Sequence, residues 1–537
     1  MATDAEHHDA IDQLMQNPTS GAAGRRLLDL AAQDPQGAQQ ARERLQPEPP
    51  LLPLDVVNQP FRRHNLVMPY TPTQVAQPGT QDELAATIQA AATAWEPIKA
   101  IGDGYGFANT GFTKGCLIPT VGKLSRILPI DKNVLKEPAA ADSLFRFEAG
   151  ATIEIITTEL WARGKAVLNQ PGYEKLTYVG TMSSGGHGSG SWCGPLSDHV
   201  RALHLLTLDE NKQVVQFQIE PAAGISDPTK FAAANPNVEL VQDDNMFHAC
   251  TVGMGCLGVI YSATIETRAA YNIHETRTKY RWRDVAQRLP QLIADQGPGK
   301  RLHSIEVWVN PYLVDGDVWV VLGERAETSD APRGERGLAI AYGGPEFLYR
   351  TIAWWVAHFP KATPALIDAA ITATQAADVV MPAPQGLNFG APNLAPVTAT
   401  SCGVPSANLV PLVDALITWF QDRAQNTSSY ITSPLGLRFV RAARAHLSPA
   451  SDRDTCMIEV PILLGTPRAR ETLDGYQDFL FENYTGRPHW GQVNDTPRDR
   501  LEKMYPRLGA FLESYRVLNP KGFFDNAFTE QMGFRMR

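Results

Sequence analysis

The sequence predicts a mixed helix-and-strand protein divided into more than one domain, and three observations carry that reading. The chain has 537 residues, more than one core usually serves. From Val67 to Tyr271, short apolar strands alternate with helical periodicities and are punctuated by glycine-rich stretches; beyond Tyr271 the pattern turns to a long hairpin and amphipathic helices. The third observation is Tyr178 to Val200, YVGTMSSGGHGSGSWCGPLSDHV, in which Gly180, Gly185, Gly186, Gly188, Gly190 and Gly194 are interleaved with serines around His187. Small residues at that density cannot build a core. They let backbone N–H groups approach something flat or anionic. A plain serine–glycine linker is the alternative, but linkers are not bounded by periodic apolar runs on both sides.

Composition narrows the classes. Hydrophobic residues make up 43% and charged residues 20%, so large cores are available. A net charge of -9 argues against a nucleic-acid partner. Cys116, Cys193, Cys250, Cys256, Cys402 and Cys456 form no CxxC pair, so neither a metal site nor a disulfide framework is expected. The acidic start, MATDAEHHDAIDQL, has no apolar leader. Phe347 to Phe359, the most apolar run, is too short and too interrupted to cross a bilayer, so a cytoplasmic protein without an integral membrane segment is expected.

In chain order, residues 1–54 read as an extension packed loosely on the surface, with a hint of helix at Leu27–Ala31 and a proline-rich end, QPEPPLLP. Thr80 with Glu83 forms a capping box ahead of Leu84, Ile88, Ala91, Ala92 and Trp95 at helical spacing. A strand, Ile98–Ile101, runs into GDGYGF (Gly102 to Phe107), whose glycines fall at every second position and so do not match a dinucleotide fingerprint. Leu117–Pro119, Ile127–Ile130 and Leu144–Ala149 read as strands, and Gly150 to Trp161 as a helix closed by Gly164. Val200–Leu208, Val214–Ile219 and Tyr261–Thr267 are further strands, the last entered through GMGCLGVI (Gly253 to Ile260).

The second region opens with a hairpin, His303–Leu322, turning at Asp315-Gly316. Helices are expected at Phe347–Phe359, Ala365–Val379, Leu409–Gln425 and Leu473–Phe481, strands at Leu437–Val440 and Met457–Leu464, and an irregular proline-rich loop at Met381–Pro411. A final helix precedes LNPKGFFDNAF (Leu518 to Phe528).

GDGYGF, the glycine–serine stretch, GMGCLGVI, and GRPHWGQ (Gly486 to Gln492) with LNPKGFFDNAF occur in an order that resembles the vanillyl-alcohol-oxidase-type, or PCMH-type, FAD-linked oxidases. The narrower resemblance is to the branch of alditol oxidases, aldonolactone oxidases and covalent bacterial cholesterol oxidases. It spans residue 60 to the C-terminus and implies an α+β fold: a two-subdomain FAD-binding domain with an inserted α+β substrate, or cap, domain on an antiparallel sheet. The borders it implies are residues 55–270 for the FAD domain, 271–495 for the cap, and 496–537 for a segment returning to the FAD domain.

The resemblance implies FAD as cofactor, held by Gly102, Asp103, Gly104, Tyr105, Gly106 and Phe107, by Thr181, Ser184, Gly185, His187, Gly188, Ser189 and Gly190, and by Gly258, Val259, Ile260 and Asn526. Many members carry a histidine, bonded to the flavin 8α carbon, where this chain has Tyr105. That leaves non-covalent FAD, which is preferred, or an aryl ether through Tyr105. His187 reads as a loop anchor and Cys193 as a small thiol.

Hydride transfer to flavin N5 needs a proton acceptor and a positive charge. The family's Glu-x-Arg pair survives here only as Arg438, because the glutamate position is Gly436, and the family's HWGK ends in Gln492. Glu459 is the candidate replacement base, with His489 near the flavin. The expected activity is an FAD-dependent oxidase acting on a hydroxyl-bearing carbon of a small molecule, with molecular oxygen as acceptor. The departures, the arginines and the aromatic segment Phe347–Phe359 suggest a bulky or carboxylate-bearing substrate, such as a biosynthetic intermediate. Oxidative decarboxylation of a hydroxy or alkoxy acid is one alternative; a dehydrogenase and a flavin-free binding protein are others.

Overall fold

The structure is a computed structural model describing residues 4–34, 72–102, 104–108, 113–336, 346–388 and 397–534. The proline-rich segment before residue 72 and Asp103 lie outside the described residues.

Two small sheets come first. β1 (Gln74–Val75), β2 (Ile98–Ile101) and β3 (Cys116–Pro119) form a parallel sheet in the order β1-β3-β2. The helix Gln81–Thr93 crosses from β1 to β2. Thr80 caps it by accepting from the Glu83 N–H, and Leu84, Ile88, Ala91 and Ala92 form its buried face. Trp95 lies past that helix in the left-handed region (φ 59°) and is exposed, so it is not part of the buried stripe as the spacing suggested.

β4 (Ile127–Leu128), β5 (Leu144–Glu148), β7 (Val200–Leu208), β8 (Val214–Glu220), β9 (Glu239–Gln242) and β10 (Val259–Glu266) form a six-stranded sheet ordered β4-β5-β10-β7-β8-β9. β6 (Lys165–Ala166) and β11 (Arg268–Ala269) make a short ribbon beside it. The core over this sheet combines Phe147, Ile156, Met182 and Leu203 with Phe511, Tyr515 and Phe528 from the end of the chain. The C-terminal helices Leu508–Leu518 and Ala527–Met532 therefore return to the first region.

The second region is one eight-stranded sheet. β12 (Asn272–Arg281), β13 (Ser304–Val314), β14 (Asp317–Thr328), β15 (Ala376–Pro382), β16 (Val397–Pro405), β17 (Leu435–Val440), β18 (Thr455–Leu463) and β19 (Arg487–Pro488) run in the order β15-β12-β14-β13-β17-β18-β16-β19, every pairing antiparallel. Helices Leu409–Thr427 and Ala469–Tyr484 cover one face with Leu416, Phe420 and Tyr476. The architecture is thus α+β, with a cofactor-type region of two small sheets and a second region on an antiparallel sheet.

Three expectations need correction. Residues 4–34 of the N-terminal segment are not packed loosely, and its remaining residues lie outside the described part. Helices Asp4–Gln16 and Gly21–Gln33 bury Ala10, Leu14, Leu27 and Leu28 against Trp354, Trp355 and Leu366, and Arg25 pairs with the buried Asp368 at 3.0 Å. The helix expected through Val379 ends at Ala373, and Ala376–Pro382 is an edge strand, where proline at the strand end costs no ladder bond. The irregular stretch from Met381 contains β16, a central strand whose small residues (VTATSCGVP) give a weak strand signal. Residues 389–396, including Pro392, lie outside the described part.

Candidate active site

The glycine–serine stretch begins as helix, not loop. Thr177 caps the helix Tyr178–Ser183 by accepting from the Gly180 N–H, and Gly185 (φ +83°) reverses the chain after it in a conformation that needs glycine. The first glycine loop leans on this cap so closely that a Cβ at Gly102 would stand 2.3 Å from Thr177 Oγ1.

Beyond the turn the stretch does a different job. Ser189 Oγ donates to Ile305 O at 2.5 Å, and the Gly190 N–H donates to Phe439 O at 2.6 Å. The second half of the stretch therefore joins the first region to the large sheet.

Between the two regions lies a cavity of about 330 Å3. It brings together Gly102, Gly104, Tyr105, Gly106 and Phe107 from the first loop, Thr181, Ser184 and His187 from the second, Gly258 and Ile260 from the third, and Arg438, Glu459, His489 and Gln492 from the large sheet and its edge. Several expected cofactor residues stand outside its lining. Gly185 faces Pro449, a Cβ at Gly188 would strike Asn169, and Ser189 and Gly190 are engaged with the large sheet. Val259 is turned into the core with Leu84 and Phe523, because its neighbours in a strand point the other way. Asn526 caps the last helix and donates to Met254 O at 3.3 Å.

Strand register builds the chemical face. Gly436 pairs with Glu459, and Ser401 pairs with Glu459 from the other side; Arg438 pairs with Met457 and Glu306. With a side-chain period of two, Ser401, Gly436, Arg438, Met457 and Glu459 share the cavity face. Gln492 Nε2 donates to Glu459 Oε1 at 2.7 Å, and Arg438 Nη2 stands 3.7 Å from Glu459 Oε2. Arg438 Nε is 3.4 Å from Glu306 Oε1, and Glu306 is bound in turn by Arg325 at 3.1 Å. Arg325 continues to Glu275 at 2.9 Å, which also takes Arg336 at 2.7 Å and Arg277 at 3.2 Å. A buried line of alternating charges thus crosses the sheet and ends at Glu459.

The electrostatics follow from burial and these pairs. Burial pushes the Glu306 carboxyl up, but Arg325 and Arg438 outweigh it and hold it below the usual range. Glu275 falls to about 2, its burial outweighed by Arg325, Arg336 and Arg277. Burial lowers His187 to about 3, with His489 and Arg438 adding to it, and burial lowers His489 to about 4. Both rings are therefore neutral near pH 7. His187 donates from Nδ1 to Gly188 O at 2.8 Å, leaving Nε2 as acceptor. His489 accepts at Nδ1 from the Gly491 N–H at 3.1 Å, leaving its proton on Nε2. Their ring centres are 5.8 Å apart. Tyr173 donates to Tyr105 Oη at 3.2 Å, and the two rings meet edge to face at 5.2 Å.

Sequence reasoning missed Ser401, Tyr173, Lys99 and Glu306. Glu306 and Lys99 carried a usable signal, a single charge inside an otherwise apolar strand. Ser401 had none once β16 was read as loop.

The residues present suit a dinucleotide flavin. Gly102, Gly255 and Gly258 line the cavity where a Cβ would collide with Thr177, Lys99 and Leu206 O, so bare backbone forms that wall, and Ser401 Oγ and Gln492 Oε1 are buried at the cavity with no hydrogen-bond partner. Fold and cavity together define an FAD-dependent oxidoreductase of the vanillyl-alcohol-oxidase type. Residues 72–215 match an FAD binding domain family, and residues 263–532, half of the chain, match the family described as D-arabinono-1,4-lactone oxidase. The chain belongs to that aldonolactone oxidase family.

The chain is similar to L-gulono-1,4-lactone dehydrogenase of Mycobacterium tuberculosis, 24% identical over 86% of this chain and 96% of the relative. It is also similar to L-gulonolactone oxidase of Mus musculus, 22% identical over 86% and 95%, and to alditol oxidase of a Streptomyces species, 24% identical over 86% and 96%. Among solved structures, cholesterol oxidase from B. sterolicum shares the fold with a TM-score of 0.68 at 15% identity, covering 85% of this chain and 93% of that one. Among the described residues no helix is long and apolar enough to cross a membrane.

Proposed function

We propose that the protein oxidises a hydroxyl-bearing carbon of an aldonolactone- or alditol-type compound, with Glu459 as proton acceptor, FAD held non-covalently and oxygen as electron acceptor. The observation that carries this reading is the Glu459 carboxylate, held by Gln492 and flanked by Arg438 in the cavity lined by the glycine loops.

Bound flavin supplies the hydride acceptor. The chain supplies the rest. Glu459 Oε2 is the less engaged oxygen and takes the proton of the substrate hydroxyl, while Gln492 fixes the carboxylate plane through Oε1. Arg438, clamped by Glu306, offers a fixed positive charge to the negative charge that develops. The His489 Nε2–H, Ser401 Oγ and Gln492 Oε1 are polar groups available to orient further hydroxyls.

Non-covalent binding is favoured because Tyr105 stands where the resembling family carries the histidine that bonds the flavin. A polyhydroxylated substrate is favoured over a bulky apolar one by the relatives' names and by Trp354 and Trp355, which pack against the N-terminal helices rather than the cavity. Decarboxylation draws no support: Arg438 is flanked by two carboxylates, a poor setting for a third.

Anaerobic mixing with L-gulono-1,4-lactone, an alditol and a sterol tests the reading. Bleaching near ~450 nm with the first two and not the third is expected of the bound flavin; bleaching with the sterol alone contradicts it. One of the relatives is named a dehydrogenase, so hydrogen peroxide yield in air separates that reading from an oxidase.

A further inference from the structure

Lys99 is a cation in an apolar strand, Ile98–Ile101, three residues ahead of Gly102. It is buried, 4% exposed, and lines the cavity with Met254, Gly255 and Gly258. Its Nζ donates to Met254 O. The turn carrying that carbonyl is shaped around the amine: Gly255 adopts φ +67°, and a Cβ there would lie 2.5 Å from Nζ.

An ammonium has three N–H donors, and Met254 O accepts one. No carboxylate among the described residues pairs with Lys99. Its titratable neighbour is the Cys256 thiol, which burial raises to about 12, so it stays neutral and offers no counter-charge. Asp525, which neighbours Cys256, is taken by Tyr515 and Asn519. Burial lowers the lysine to about 8, which leaves it mainly protonated at neutral pH. A buried charge without a partner is costly, and proteins keep one where something else pairs with it.

We infer that Lys99 is a binding residue for the diphosphate of the flavin dinucleotide, its two remaining donors and its charge meeting the anion where the first and third glycine loops converge. The inference rests on the FAD assignment. The loops offer neutral backbone N–H groups; Lys99 adds the full charge they lack.

Full-length protein stripped of flavin is titrated calorimetrically with FAD, ADP and adenosine, as wild type, Lys99→Met and Lys99→Arg. Loss of a charged hydrogen bond predicts that Lys99→Met weakens FAD and ADP by about tenfold or more, with adenosine unchanged and Lys99→Arg, which keeps the charge in a turn fitted to the smaller amine, intermediate. Because Lys99→Met also removes an unpaired buried charge, the flavin-free variant is expected to melt no lower than wild type while gaining less on adding FAD. Equal affinity of Lys99→Met and wild type for ADP overturns the inference, as does an equal loss for adenosine and ADP. A flavin-free Lys99→Met that melts well below wild type also overturns it, since the amine is then structural. Failure of the wild type to bind FAD sinks the flavin assignment instead.

Discussion

Gly436 and Glu459 face each other across β17 and β18, and a Cβ added to Gly436 would stand 3.8 Å from the Glu459 Cβ with no closer neighbour. The resembling family carries its glutamate on the strand of Arg438, at the position of Gly436. Here the carboxylate stands one strand over, on the same cavity face. The two positions share one cavity face, and Gly436 has open space on it.

That relationship predicts a rescue. Glu459→Ala is expected to lower turnover by about 10²–10⁴, the usual worth of a positioned base. Adding Gly436→Glu to it should restore a measurable part, because Gly436 has an ordinary backbone conformation and room for a side chain. Steady-state kinetics on the single and double variants decide this; a double variant no faster than Glu459→Ala means the two positions are not equivalent.

Arg438 is expected to act in the chemical step rather than in folding. Arg438→Ala should lower the rate of flavin reduction by about 10²–10³, in the range of other lost charge-stabilising donors, with Arg438→Lys intermediate. Stopped-flow rates with unchanged FAD content check it. An unchanged reduction rate in Arg438→Ala removes its assigned role.

The charge line behind Arg438 carries a stability prediction. Glu275 is buried among Arg277, Arg325 and Arg336, so Glu275→Gln leaves three guanidinium groups short of a counter-charge. Breaking a buried pair in this way costs about 3–5 kcal/mol. Urea unfolding of the large-sheet region, followed by tryptophan fluorescence, should show a loss of that size, against a small effect for Glu159→Gln, whose partner Arg163 is exposed.

Histidines set the acid limit. Burial lowers His187 to about 3 and His199, His204 and His303 to about 4. Each is neutral in the folded protein and takes a proton on unfolding once the pH falls below its ordinary value of 6.5. Their contribution is therefore whole above about pH 7 and is lost as pH falls through 6.5 toward 4, at about 1.4 kcal/mol per pH unit for each residue. Thermal melts between pH 8 and pH 4.5 should hold level and then drop; a melting temperature that rises below pH 6.5 contradicts the sign.

How much of this was legible in the sequence depended on where the information sits. The Asp315-Gly316 hairpin was, because both residues take positive φ (50° and 82°) and few pairs do so cheaply. The capped helix Gln81–Thr93 was, because its stripe and its cap agree. β16 was not: its side chains are small, and it is a strand because β18 and β19 flank it. Nor were the N-terminal helices, whose buried positions are largely alanine and leucine and whose partners, Trp354 and Trp355, lie far along the chain. In the site, the glycine loops announced themselves by composition. The Gly436–Glu459 and Glu306–Arg438 pairings did not, since register between distant strands is a tertiary property.

The most direct test is anaerobic reduction of the flavin in wild type and Glu459→Gln by a substrate that the wild type turns over. Wild type should bleach near ~450 nm, and Glu459→Gln, with FAD content intact, should bleach at least about 10²-fold more slowly, as expected for loss of the proton acceptor. Equal rates in the two proteins would contradict the account.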